Sequence, residues 1–177
     1  LITNKLIEPI SSFEIHDHCI SANTEKDFLY MVVVNRYRNA PVAKCFVKNF
    51  GFKKGAIASS VAHDSHNIIA VGADAASICK AVNLIITSKG GVRCCAPPSF
   101  GGSWREVVLP LPVAGLMSTD DGYKVAAAYS NIDKAAKELG SSLAAPFMTL
   151  SFMALLVIPH LKLSDLGLFD GDQFKLL

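Results

Sequence analysis

Residues 55–72, GAIASSVAHDSHNIIAVG, constrain the fold more than any other part of the chain. A run of small and apolar residues leads straight into His63, Asp64, Ser65, His66 and Asn67, and an apolar run ending at Gly72 follows at once. The pattern predicts two buried strands, over 56–62 and 67–71, with the polar cluster where they meet. Polar groups delivered between buried strands need partners, because each one left unpaired costs about 1–3 kcal/mol.

The rest of the chain supplies the elements around this hairpin. Residues 28–34, FLYMVVV, read as a buried strand, 35–41 as a polar turn and 42–50 as a second strand closed by Gly51. Asp74 can cap a helix over 75–88 that places Ile78, Ala81, Val82, Ile85 and Ile86 on one face, with Gly90 and Gly91 as its stop. Residues 92–96 form a short strand, 97–103 a loop and 105–111 a further strand ended by prolines. Asp120 or Asp121 can cap a second helix through Leu139, with an apolar 143–158 segment and a tail beyond. The fold class is therefore α+β or α/β: a mixed β-sheet packed with two or three helices in a single accessory domain, without the eight βα units of a catalytic barrel.

Composition narrows the class further. In 177 residues, 51% are hydrophobic and only 18% charged, where about 25% charged is usual. The longest uncharged apolar stretch, 143–159, is bounded by prolines and falls short of the ~20 residues a spanning helix needs, so no membrane is expected. The better reading is apolar surface hidden against a partner domain or subunit. Net charge is +2, from 17 basic and 15 acidic residues without a basic stripe, so no nucleic acid is expected. Five cysteines, with no CxxC spacing, indicate neither a disulfide framework nor a zinc finger and fit a reducing compartment, the cytoplasm. The adjacent Cys94 and Cys95 read as half-buried strand rather than a redox pair. The N-terminus has no signal-peptide pattern and no initiator Met, and reads as the middle of a longer protein.

Three long stretches carry a resemblance. Residues 55–72, LPLPVAGLMS at 109–118, and PFMTLSFMAL at 146–155 running on into VIPHLKLSDLGLFD at 157–170 resemble, in the same order, the C-terminal domain of bacterial and archaeal adenine deaminases. On this resemblance 28–177 is the C-terminal domain, and 1–27 is a weakly matching N-terminal segment or junction. Two departures are a longer segment from Cys94 to Trp104 and Leu156 where the family pattern has proline. The resemblance implies hydrolysis of adenine to hypoxanthine and ammonia, in purine salvage and catabolism. It places the catalysis in an N-terminal, metal-dependent barrel of the amidohydrolase type, with divalent manganese or iron. The implied partners are that barrel, adenine and further copies in a homo-oligomer. No catalytic residue is assigned within this chain, no cofactor is expected in it alone, and the isolated chain is expected to be inactive.

The site candidates are His63, Asp64, His66 and Asn67. One reading makes them a polar turn whose side chains satisfy buried backbone and bridge to the barrel. A second makes them a lip of the active site, and a third gives His63, Asp64 and His66 to a metal ion of their own. In a strand, 64 and 66 share one face and 63, 65 and 67 the other, so three adjacent ligands would need a sharp turn. The His16-Asp17-His18 motif lacks the distant ligands of a barrel and reads as a polar turn or junction. Ser59 and Ser60, three or four residues before His63, lack a nucleophile elbow and read as small residues in a packed strand. The glycine pairs 90–91 and 101–102 lack the lysine and hydroxyl offsets of a phosphate loop and read as turns. Met148, Leu150, Phe152, Met153 and Leu155 read equally as interface or core. Arg36 and Arg38 are candidates to reach a carboxylate across that interface.

Overall fold

The computed structural model describes residues 15–16, 19–98 and 102–177. Gly101, Asp17 and His18 lie outside the described residues, so the 101–102 turn and the His16-Asp17-His18 motif are not placed. A two-residue ladder joins β1 (Ile15–His16) to β2 (Cys19–Ile20). The body is a six-stranded sheet made of β3 (Leu29–Val34), β4 (Ala43–Val47), β5 (Ala56–Ser59), β6 (Ile68–Gly72), β7 (Val92–Ala96) and β8 (Arg105–Leu109). Its order is β4-β3-β6-β5-β7-β8, and every pairing is antiparallel. The class is thus α+β. Where a mixed sheet was expected, neighbours pair antiparallel throughout: β3–β4, β5–β6 and β7–β8 are consecutive in the chain, while residues 75–87 carry the chain from β6 past β5 to β7, which runs parallel to β6 without pairing with it.

Alternation along the central strands produces two cores. Ile57, Ile69, Val71, Met31, Val33 and Cys94 point to one face; Ala56, Ala58, Ile68, Ala70, Val32 and Cys95 point to the other. Helix α1 (Ala75–Thr87) covers the second face through Ile78, Ala81, Val82 and Ile85. Asp74 is its cap: one carboxylate oxygen accepts from Ser77 N at 2.7 Å and the other from Ser77 Oγ at 2.7 Å. Ile86, expected on the buried face, is 53% exposed because the helix ends at the rim of the sheet.

Helices α2 (Gly122–Glu138, capped by Asp121) and α3 (Pro146–Phe152) cover the first face, with Ile132, Ala135, Phe147 and Leu150 in the core. The tail folds as an antiparallel three-stranded unit of β9 (Leu161–Ser164), β10 (Gly167–Asp170) and β11 (Lys175–Leu176), and its Leu163 enters the same core.

Cys94 and Cys95 are both buried on β7, one on each face, and desolvation pushes their thiols up to about 12 and about 11. Neither is a reactive thiolate at neutral pH; Cys79, on the outer side of α1, is exposed.

Candidate interdomain site

Antiparallel register brings the resembling stretches together at one end of the sheet. Ser59 pairs with Ile69 and Val92, Val34 with Ile68, and Val92 with Leu109. The ends of β3, β5 and β8 and the starts of β6 and β7 therefore coincide. That rim carries the 35–41 turn, residues 60–67, the glycines after α1 and the 110–118 loop.

Ser60 is the junction. It is fully buried, accepts from Gly91 N at 2.8 Å and donates to Gly115 O at 2.5 Å. A hydroxyl so committed, with no histidine bonded to it, is a structural tie and not a nucleophile, as the packed-strand reading has it. Arg36 adds a second tie, donating from Nη2 to Ala114 O at 2.6 Å, while its guanidinium lies 5.1 Å from the Tyr37 ring centre. Among the described residues Arg36 forms no ion pair, and the carboxylate expected for it was one across an interface.

The polar cluster divides by burial. Asn67 is 2% exposed; its Oδ1 accepts from Arg36 N at 3.2 Å and its Nδ2 donates to Ser65 Oγ at 3.2 Å. The Tyr37 hydroxyl donates to Ser65 O at 2.7 Å, strapping the 35–41 turn across the cluster. His66 takes a left-handed backbone (φ 52°) and donates its N–H to Ala62 O at 2.6 Å, which supplies the sharp reversal and breaks strand alternation over 61–67. His63 and His66 are half-buried and their rings meet edge to face at 5.5 Å; the His63 ring also lies 5.6 Å from that of Phe152 on α3. Asp64 is exposed. Among the described residues no group of three His, Cys, Asp or Glu side chains is placed to hold a metal ion, so His63, Asp64 and His66 do not form a ligand set.

His66 is the electrostatically unusual member. Desolvation lowers its pKa from 6.5, the nearby His63 and Arg36 lower it further, and Asp64 opposes them; Nδ1 is buried without a hydrogen-bond partner. A folded-state pKa below the unfolded one means that stability present above about 6.5 is lost as the pH falls through the folded value. The melting temperature is therefore expected to drop between pH 7.5 and pH 5, and His66→Gln is expected to flatten part of that drop. Thermal melts of the two proteins across this range check it; parallel profiles would refute the assignment.

The apolar α3 segment resolves into both of its readings. Leu150 and Met153 are buried, whereas Met148 is 49% and Phe152 39% exposed, because one helical turn divides core from surface.

The model of the adenine deaminase C-terminal domain matches residues 1–175. The chain belongs to that family. It is 55% identical over 170 residues to an adenine deaminase of Sulfurovum sp. (strain NBC37-1), covering 95% of this chain and 30% of that protein. It is 54% identical over 154 residues to one of Methanosarcina acetivorans, covering 87% and 27%. It is 44% identical over 176 residues to one of Methanothermobacter thermautotrophicus, covering 99% and 31%. The adenine deaminase C-terminal domain seen here thus spans about three-tenths of the curated relatives it matches. Two contributors to its rim escaped the sequence reading: Tyr37, passed over as a turn residue, and Gly115, whose role depends on a partner 55 positions away. Its Gly115 sits at φ 74° inside the LPLPVAGLMS stretch, which is the one signal that could have found it.

Proposed function

We propose that this chain serves as the C-terminal domain of an enzyme that hydrolyses adenine to hypoxanthine and ammonia. The observation that carries this reading is the 55% identity to an adenine deaminase over 95% of the chain. Catalysis belongs to the N-terminal part of the enzyme, together with a divalent manganese or iron ion. The described residues here do not fit that ion, since no three potential ligands converge.

The contribution of residues 28–177 is a rigid rim, with His63, Asp64, His66 and Asn67 at the lip of the adjoining active site and 1–27 as the junction. The six-stranded sheet, beginning at Leu29, supports the first boundary. The enzyme is placed in the cytoplasm; the thiols of Cys45, Cys79, Cys94 and Cys95, all free, accord with a reducing compartment. Among the described residues no helix is long and apolar enough to cross a membrane.

A second reading is favoured by the hydrogen bonds of the rim. Ser60, Ser65 and Asn67 spend their polar groups within the chain, as a purely structural or oligomer-building domain would have them do. One experiment separates the two. This chain replaces the matching C-terminal portion of the Sulfurovum relative, and hypoxanthine formation, metal content and oligomeric state are measured with and without His63→Ala and His66→Ala. The lip reading expects turnover in the fusion and a tenfold or larger fall in kcat/KM in the variants at unchanged metal content and assembly. Unchanged kcat/KM with altered assembly would establish the structural role instead, and a properly folded fusion without turnover would refute the proposed activity.

A further inference from the structure

The sheet end that gathers the family stretches also gathers exposed apolar side chains from separate elements. Tyr37 is 65% exposed on the 35–41 turn, Ile86 53% at the end of α1, Met117 57% on the 110–118 loop and Phe152 39% on α3. A soluble domain has little reason to crowd such groups at one rim unless something covers them. Between Tyr37 and Ile86 opens a cleft of about 530 Å³, walled by Val34, Ile68 and Ile85, with Arg36 and Lys89 at its margin. No aspartate or glutamate lines it, and neither cation has an ion-pair partner among the described residues.

Two further observations say what the cover is. The family is defined as a C-terminal domain, and the chain accounts for only 27–31% of three relatives, so most of such an enzyme lies N-terminal to it. The rim is also held rigid by the Ser60 and Arg36 ties, which presents the apolar groups in fixed positions and lowers the entropy lost on docking.

We infer that this sheet end is the docking face for the N-terminal part of an adenine deaminase, and that the docked surface is apolar and places a carboxylate between Arg36 and Lys89. The inference rests on the function proposed above and adds the face, its polarity and its charge. The cleft supplies two cations in an apolar setting, where a carboxylate gains more from pairing than it would in open solvent. The first half of α1 and the opposite end of the sheet, where Cys79 and Lys54 are exposed, remain in solvent.

Maleimide labelling tests this in the 177-residue chain and in the Sulfurovum fusion, using Met117→Cys and Lys89→Cys, with native Cys79 and Lys54→Cys as controls. Labelling at 117 and 89 is expected to slow at least tenfold in the fusion, while 79 and 54 change less than about twofold. Adding Lys89→Glu to Met117→Cys is expected to restore much of the labelling at 117. Equal labelling at 117 and 89 in both proteins would overturn the docking face. Protection that appears in the isolated chain and rises with its concentration would give the face to a second copy and overturn it as well. Full protection undiminished by Lys89→Glu would overturn the predicted carboxylate. Turnover is read separately: a fusion that converts adenine with 117 and 89 open fails this inference alone, and one that protects them without turnover fails only the proposed activity.

Discussion

Gly90→Ala is expected to destabilise the domain by roughly 2–6 kcal/mol, the sum of two effects of about 1–3 kcal/mol each. The first is backbone strain, since Gly90 sits at φ 132°, where an L side chain is rarely accommodated. The second is collision: a Cβ there would lie 2.3 Å from Gly115 Cα, and that atom is backbone in a loop fixed by Ser60 and Arg36. Neither strand nor loop can step aside without breaking the Ser60 junction. Gly122→Ala is the matched control. It opens α2, has no heavy atom within 4 Å of a new Cβ, and is expected to gain about 0.4–1 kcal/mol. Urea unfolding of both variants beside the parent checks the pair. A loss below about 1 kcal/mol for Gly90→Ala would show that the 110–118 loop is not packed as described.

Leu150→Ala is expected to cost about 2–5 kcal/mol, the range for emptying a buried leucine site. Leu150 is fully buried among side chains of the sheet, α2 and β9. Its helix is particularly dependent on it. Seven residues are too few to be helical alone, the capping position is Ala145 with no side-chain bond, and only Pro146 favours the start. Packing holds α3 in place, so the cavity reaches the rim, where Phe152 meets His63. Amide exchange in residues 61–66 is expected to quicken in this variant beyond what the global loss of stability accounts for. Exchange that follows the global stability alone would mean that α3 does not steady the cluster.

The local part of this fold was readable in the sequence. The capping carboxylates of Asp74 and Asp121 announce the starts of α1 and α2, and β-branched runs announce β3 and β6. The tail was not read as strands, because each strand is only four residues or fewer and its turn, around Leu166 and Gly167, follows a single serine-aspartate pair. The polar cluster was visible as a cluster, but its sorting was not. Alternation grouped His63 with Asn67 and Asp64 with His66, whereas the reversal at His66 buries Asn67 and leaves Asp64 in solvent. The rim itself is invisible locally. Arg36 meets Ala114 across 78 positions and Ser60 meets Gly115 across 55, separations that only the strand order closes.

The strand order also governs how the domain avoids self-association. A sheet of six strands has two borders, β4 and β8, each a potential template for a foreign strand. At β4 the outward Lys44 places a charge on the border, and the β9–β10 unit lies alongside. At β8 both Arg105 and Glu106 are charged, Arg105 bridging to Glu138 and Glu106 to Lys80. Strand-to-strand growth into aggregates is thereby opposed at both borders, despite a chain that is half hydrophobic. Copies or partners are left to meet this domain through its helices and loops.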